Sequence, residues 1–579
     1  MQKKLLIILF LTAFTAVAYF IENADGFKDT KTRLQKITLP STPTKLGKRA
    51  TLLEQFGLVY VFPKDYSKYY DPITGESNFD HVISLESPLP EYHQSWIDHR
   101  QIPPEAYPSS KVLDPDITAS GLPILSVVVA DKDLNDPETG IIANRKRKGK
   151  EWERPCFISY YNRGQLLFAS GAGIRIHGGS KNKRPMESLR FYFRKAYGHD
   201  QFKPGIIFDN QSVPIKRVIT RIENRYANLL ALDLAQRIGC LTPAVHPVVV
   251  YLNGKQFGNR YALIEHLNKD WLRSRYGHDD FILLRTTGHP EKRRISKSYQ
   301  KLKKWLYNTD IRMTMREAGK KVDIENLSLW FISQFFTAGN DMYQGPLLRD
   351  RTKPDARWFW VNWDMDQSFV NPYEDDVKIL WQQRLNLHNV IRNPERDRKN
   401  PRTARFQNKD PRAILFRRLS SEDPAYKTYF ERLLMDTLNH KINPAYLDAW
   451  LDRQREAILA LNTDDQDFFQ TLAAFLHHRP AYLREMMRTH YDSAESHRCR
   501  VNGPTDLAIT IDGYPSELPY NGWYFEGSQI TLSIDPDKHP RLIGWRIDDR
   551  IVHSAELPFS HTVMAPVRIE AIFQERSHD

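Results

Sequence analysis

The chain is expected to fold as a mixed α/β (α+β) main domain followed by a small C-terminal all-β sandwich module, and three observations predict this. Short β-branched runs without helical period, such as Leu122-Pro123-Ile124-Leu125-Ser126-Val127-Val128-Val129 and Val248-Val249-Val250-Tyr251-Leu252, have the length and composition of buried strands. Between them, Tyr226 to Ile238 places apolar residues at Leu229, Leu230, Ala231, Leu234, Ala235 and Ile238, with Gly239 behind as a stop. Beyond residue 505 the pattern changes to alternation, in Ile530, Leu532, Ile534 and again in Val567, Ile569, Ala571, Phe573.

The elements follow in order. Lys3 and Lys4 precede an uncharged run from Leu5 to Ile21, the order of a positive n-region and an apolar h-region, and Ala16-Val17-Ala18 has the small residues of a cleavage site. Residues 1–21 are therefore expected to be a signal peptide or a membrane anchor, which places the chain outside the cytoplasm, membrane-anchored or secreted. Residues 22–120 are rich in proline and lack periodicity, an extended N-terminal region. The main domain spans 121–490. Ile174 to Ile176 and Leu189 to Phe193 suit strands, joined by the basic glycine turn His177-Gly178-Gly179-Ser180-Lys181-Asn182-Lys183-Arg184-Pro185. Asn253-Gly254 predicts a hairpin turn, with Arg260 to Ile264 returning. Asp323 is placed to cap a helix with the face Leu327, Trp330, Phe331, Gln334, Phe335, ending near Gly339. Trp358 to Trp363 reads as a buried aromatic strand leading into Asp364-Met365-Asp366. Asn371 to Arg412 is expected to be a long loop, and Tyr426 to Tyr491 returns to helical spacing. Residues 505–575 form the β module, with Asn521-Gly522 as a turn before its first alternating run.

Charge narrows the partners. With 83 Lys and Arg against 70 Asp and Glu the formal charge is +13, clustered at Arg145 to Lys148, at Lys292 to Arg294 and between Arg392 and Arg412. Such clusters favour anionic partners; for an exported chain these are an anionic surface polymer, anionic lipid, nucleotide phosphates or an acidic protein rather than nucleic acid. Cys156, Cys240 and Cys499 have no paired spacing, so neither a zinc knuckle nor a disulfide framework is readable. No Walker loop, Gly-x-Ser-x-Gly elbow or His-Glu-x-x-His helix occurs, which removes support for those enzyme classes.

Four groups of residues could carry chemistry. Asp364 and Asp366, two apart on an extended backbone, would point the same way and share one hard divalent cation; a solvated turn is the plain structural alternative. Asp341 follows an apolar helix and could converge with them as a base, or be only a helix-terminal residue. Arg175, Ser180, Lys181, Lys183 and Arg190 surround the glycine turn and could bind an anion. Glu265, at the end of a hairpin strand, could pair with a phosphate-gripping cation or be a structural ion pair.

The ordered series Asp136-Pro137-Glu138-Thr139-Gly140-Ile141, Glu151-Trp152-Glu153-Arg154-Pro155, Gly173-Ile174-Arg175-Ile176-His177-Gly178-Gly179-Ser180, Val250-Tyr251-Leu252-Asn253-Gly254, Glu265, Asn340-Asp341 and Trp363-Asp364-Met365-Asp366 resembles the CotH kinase family, that of the spore coat protein H. The resemblance implies an atypical protein-kinase-like domain that uses ATP with Mg²⁺ or Mn²⁺. It implies Asp341 as catalytic residue and Asp364 as metal ligand with Asp366 beside it. Arg175, Ser180, Lys183, Arg190 and Glu265 then fall on the nucleotide side. The expected partner is an exported or envelope protein carrying the acceptor hydroxyl. Trp523-Tyr524-Phe525-Glu526-Gly527 and Gly544-Trp545 resemble β-repeat modules appended to such proteins. Two positions depart from the family pattern. Pro185-Met186-Glu187-Ser188 stands where proline, lysine, lysine, serine is usual, and Gln344 occupies the turn where an asparagine commonly supplies a second metal ligand. A kinase-like surface protein without catalysis, and a metal-dependent carbohydrate-active enzyme, are the competing expectations.

Overall fold

The computed structural model describes residues 123–147, 149–178, 188–194, 205–208, 213–223, 225–258, 260–285, 297–339, 344–369, 410–460, 465–535, 542–553 and 557–574. The expectations for 1–21 and 22–120 lie outside these residues. Helices and sheets are mixed, as expected, in one unit.

The first half is a closed sheet. Strand β1 (Ile124–Val128) leads into the short helix α1 (Asp131–Asn135), and then β2 (Arg154–Asn162), β3 (Gln165–Ile176), β4 (Leu189–Tyr192) and β5 (Arg217–Ile222) follow as antiparallel neighbours. After helix α2 (Ala227–Ile238) come β6 (Val245–Leu252), β7 (Lys255–Gln256) and β8 (Tyr261–Glu265). β8 pairs with both β5 and β6, and β6 returns to β1 in parallel, so seven of these strands close a barrel. One face is apolar: Ile174, Phe191, Val218 and Leu263 are fully buried. The period of two then puts Arg175, Arg190, Ile219 and Arg221 together on the other face, since Arg175 is in register with Arg190 and Arg190 with Ile219. The Asn253-Gly254 turn is present, with φ of 50° and 77°, the left-handed pair a two-residue hairpin requires.

The second half is helical. Helix α3 (Lys269–Tyr276), strand β9 (Phe281–Arg285), helices α4 (Lys297–Leu306), α5 (Met315–Gly319) and α6 (Ile324–Phe336), and strands β10 (Pro346–Asp350) and β11 (Phe359–Trp360) precede α7 (Pro411–Glu422) and α8 (Pro424–Asp436). A π turn at Thr437–Lys441 leads to α9 (Pro444–Leu459) and α10 (Gln466–His490). Helix α6 is the central rod: Asp323 caps it by accepting from Asn326 N at 3.0 Å, and its residues are buried nearly all round, as an apolar helix must be. Each fully buried side chain such as Trp330 or Phe331 contributes about 1.5–3 kcal/mol.

Two sequence expectations need correction here. The strand predicted over Trp358 to Trp363 shrinks to Phe359–Trp360, because the chain turns left-handed at Asp364 (φ 58°) and leaves the pleat before it. The loop predicted to run to Arg412 lies mostly outside the described residues, but its last residues open α7. There Asp410 caps by accepting from Arg412 N at 2.8 Å, and Pro411 takes the first helical position.

The C-terminal module is all-β. Its strands are β12 (Ser496–Asn502), β13 (Ile509–Ile511), β14 (Tyr514–Ser516), β15 (Tyr520–Phe525), β16 (Gln529–Ile534), β17 (Leu542–Ile547), β18 (Arg550–Val552), β19 (Phe559–Thr562) and β20 (Val567–Phe573). They form a five-stranded and a four-stranded sheet that share one apolar core. Asn521-Gly522 is not a turn but lies inside β15. Gly522 is there for space: a Cβ would come within 2.3 Å of Tyr520 Oη, which folds over it to reach Tyr524 Oη at 2.8 Å. The module is fastened to the π turn through Asn439, which donates Nδ2 to Trp523 O at 2.9 Å and accepts from Trp523 N at 3.0 Å.

Candidate functional site

The site begins on β5. Val218-Ile219-Thr220-Arg221-Ile222 is an apolar strand interrupted by one charge, and Arg221 carries its guanidinium onto the same face as Arg190. Its Nη2 forms ion pairs with both Asp364 Oδ1 and Asp366 Oδ2, the latter at 2.7 Å. The two aspartates converge on the Arg221 guanidinium. They do so through a turn, with Asp364 in the left-handed region that Asp tolerates better than most residues, and not through the extended pleat that the i, i+2 spacing suggested.

A third carboxylate stands behind them. Glu223 is 2% exposed, lies 4.0 Å from Arg221 Nε, accepts Asn228 Nδ2 at 3.1 Å through Oε1, and has no hydrogen-bond partner for Oε2 among the described residues. Burial raises its carboxyl to about 7, opposed by Arg221 and Asn228. Burial also raises Asp366, with Asp364 adding to the shift and Arg221 opposing it. Burial disfavours the Arg221 charge, but Asp364, Glu223 and Asp366 outweigh it and hold the guanidinium firmly ionised. A carboxylate pair bridged by one cationic nitrogen, with an orphaned buried carboxylate oxygen behind it, is a donor set that suits a hard divalent cation. Among the described residues no group of three or more His, Cys, Asp or Glu is arranged to hold a metal ion, so Asp364 and Asp366 are the two carboxylates that would do so, with water or phosphate oxygens completing the set.

Asn228, in the first turn of α2, fixes this arrangement. Its Oδ1 accepts Met365 N at 2.8 Å while its Nδ2 serves Glu223, so one amide ties β5, α2 and the Asp364-Met365-Asp366 segment together.

Asp341 lies outside the described residues, but the chain on both sides of it is pinned to the same segment. Phe369 N donates to Thr337 O at 2.8 Å and Ser368 Oγ lies 3.3 Å from Thr337 Oγ1. On the other side, Val361 N donates to Pro346 O at 3.2 Å, and Gly345 (φ 93°) packs so closely that a Cβ would stand 2.1 Å from Val361 O. The C-terminal end of α6, which leads into this stretch, is held by buried Arg479, donating Nε to Phe335 O at 3.1 Å and to Phe336 O at 3.0 Å.

The anion-binding candidates divide. Ser180 and Lys183 lie outside the described residues, as does Lys181. Arg175 and Arg190 face each other across β3 and β4 and line a cavity of about 180 Å³ with Arg147, Trp152 and Tyr192. Arg175 is held there by Glu153, through Nε at 2.9 Å, and stacks on Tyr192 with its guanidinium carbon 4.3 Å from the ring centroid. Glu265 accepts Arg275 Nη2 at 2.7 Å and Ala244 N at 2.9 Å. It is thus paired with α3 and the start of β6. Gln344 offers its carbonyl to Arg412 Nη1 at 2.8 Å. Sequence reading missed Arg221, Glu223, Asn228 and Glu153. The readable signal was Arg221-x-Glu223, two opposite charges two apart at the exit of an apolar strand.

The family model for the CotH kinase protein matches residues 174–493, and the chain belongs to that family. The matched region contains β4 to α10 and every aspartate of the site. The comparison with curated proteins gives no match. Among solved structures the chain is similar to the Golgi casein kinase at 9% identity, with 56% of this chain and 71% of that one covered and a TM-score of 0.22. It is also similar to the Golgi casein kinase with Mn/ADP bound at 11% identity, covering 55% and 70%, with a TM-score of 0.19.

Proposed function

We propose that the chain is an atypical protein kinase that transfers the γ-phosphoryl group of ATP to a hydroxyl of an exported or envelope protein. The observation that carries this reading is the convergence of Asp364 and Asp366 on a single cationic nitrogen, inside the region matched by the kinase family and beside both anchors of the Asp341 segment. In this reading Asp364 and Asp366 hold Mg²⁺ or Mn²⁺, and when bound that cation neutralises charge on the transferring phosphates. Asp341 accepts the proton of the acceptor hydroxyl. Arg175 and Arg190, with Ser180 and Lys183 of the glycine turn, bind phosphate oxygens, for which guanidinium forks are suited. Asn228 keeps the metal-binding turn in shape. The basic loops add attraction for an anionic surface polymer or lipid, and the leader places the reaction outside the cytoplasm.

The test is ATP turnover and phosphoprotein formation by the full chain with Mg²⁺ or Mn²⁺, beside Asp341→Ala and Asp364→Ala. Turnover lost in both folded variants supports the reading. A second reading, a kinase-like binding protein without catalysis, is favoured by Arg221 bridging the aspartates and by Met186-Glu187 in place of lysines. It predicts no turnover by the folded wild-type chain under any of these conditions.

A further inference from the structure

One nitrogen atom, Arg221 Nη2, touches both members of the Asp364 and Asp366 pair, so the arginine stands where a bridging cation would. The contact is enclosed on the arginine side and partly open on the aspartate side. The Arg221 side chain is 13% exposed, and Glu223, fully enclosed, backs it from its Nε side at 4.0 Å. Three carboxylates thus share one guanidinium, and a divalent ion arriving alone at the partly exposed aspartates must displace a hydrogen-bonded charge that is itself mostly buried.

The sheet supplies an alternative. Arg190 is in register with Ile219, two residues from Arg221 on the same face, so Arg221 and Arg190 lie one strand and one pleat apart. Arg190 rests against His177 Nδ1 and Tyr192 Oη, and a polyphosphate spanning one strand and one pleat would be needed to meet both guanidiniums, for which a phosphate oxygen is an anionic partner as a carboxylate is.

We propose that Arg221 is a built-in counter-ion that holds the Asp364 and Asp366 pair against free divalent metal and releases it when nucleotide phosphates take the guanidinium, so that metal and nucleotide load together. This rests on the reading of those aspartates as metal ligands. Linkage makes the coupling reciprocal: the factor by which nucleotide tightens metal is the factor by which metal tightens nucleotide.

The experiment measures Mn²⁺ binding to the full chain from the electron paramagnetic resonance signal of free Mn²⁺, with and without the non-hydrolysable analogue AMP-PNP, each corrected by a protein-free titration for the Mn²⁺ that AMP-PNP itself chelates. It compares wild type, Arg221→Met, Arg221→Gln and Asp364→Ala, each checked for folding by circular dichroism. The wild type is expected to bind Mn²⁺ at least tenfold more tightly with AMP-PNP than without. Arg221→Met is expected to bind Mn²⁺ alone at least tenfold more tightly than wild type and to lose most of the coupling. Arg221→Gln, which keeps a donor toward Glu223, is expected to do the same and serves if the methionine variant does not fold. Mn²⁺ binding that Asp364→Ala abolishes but that both Arg221 variants leave unchanged would overturn the counter-ion role while leaving the metal ligands standing. Mn²⁺ binding indifferent to Asp364→Ala, or absent from wild type even with AMP-PNP, would overturn both.

Discussion

Asn228 Oδ1 accepts the Met365 backbone N–H at 2.8 Å, and the same amide donates Nδ2 to Glu223 Oε1 at 3.1 Å. With both ends in use and no exposed surface, the side chain has one permitted orientation. Replacing it leaves a buried N–H and a buried carboxylate oxygen unsatisfied. Asn228→Ala is expected to lower stability by about 1–3 kcal/mol. Asn228→Asp should cost more, because it sets a second carboxylate against Glu223. Denaturant midpoints with unchanged slopes would show this, and a change within about 0.5 kcal/mol for both variants would mean that the amide is not the tie described.

Much of the fold was legible from local pattern because local pattern determined it. Asn253-Gly254, the α2 face with Gly239 behind it, and Asp323 before α6 each specify their element within a few residues. The closure of the barrel was not readable, since β6 meets β1 across more than a hundred intervening residues and no local signal records that pairing. The site was half legible for the same reason. Asp364 and Asp366 are neighbours in sequence and could be read as a pair, whereas the groups that surround them, Arg221, Glu223 and Asn228, are distant in sequence and are brought close only by β5 and α2. Glu265 was legible as a carboxylate at a strand end with a cationic partner to find, but that the partner is Arg275 of the following helix was not.

Gly173 makes room for Glu153. A Cβ there would come within 2.7 Å of Glu153 Cγ and Cδ, and that carboxylate is only 2% exposed, held by Arg194 Nε at 2.6 Å and by Arg175. Burial would raise its carboxyl, but Arg194 and Arg175 reverse this and keep it below the usual range. Gly173→Ala should therefore resemble Glu153→Ala, each costing about 2–3 kcal/mol, with partly exposed arginines keeping the loss below that of a fully buried pair. In a double-mutant cycle the alanine at 173 should be nearly free once Glu153 is gone, a coupling of about 1–3 kcal/mol. Additive losses would show that the two do not compete for one space.

Gly345 should tolerate no side chain. Its φ is 93°, and a Cβ would meet a backbone oxygen, Val361 O, at 2.1 Å, where nothing can swing aside. Gly277 is a built-in comparison: its φ is 76°, but nothing lies within 4 Å of its Cβ direction. Gly277→Ala should cost about 1–2 kcal/mol from left-handed strain alone. Gly345→Ala should add steric overlap, for a total of about 3 kcal/mol or more, and should loosen the end of the β10 and β11 pair that leads to Asp364. Faster hydrogen exchange at the Val361 amide in Gly345→Ala, unaltered in Gly277→Ala, is the expected signature; equal melting temperatures for the two variants would rule it out.

Asp436, at the end of α8, gives the chain a pH dependence that can be assigned. Burial raises its carboxyl to about 6, with Asp512 of the β module adding to the shift and Arg432, His440 and Lys441 opposing it. Below about pH 4 the group is protonated in both folded and unfolded chains and contributes no difference. As pH rises from about 4 to about 6, the unfolded chain releases the proton while the folded chain retains it, so the folded state binds more protons and stability falls. Above about 6 the loss is complete, on the order of 2–3 kcal/mol. Asp436→Asn keeps the shape without the charge. Its melting temperature should match that of wild type near pH 4 and exceed it by several degrees at pH 7.5, with the gap opening between those values. A gap independent of pH would mean that the carboxyl titrates normally in the folded chain, and that the junction between α8 and the β module places no electrostatic burden on it.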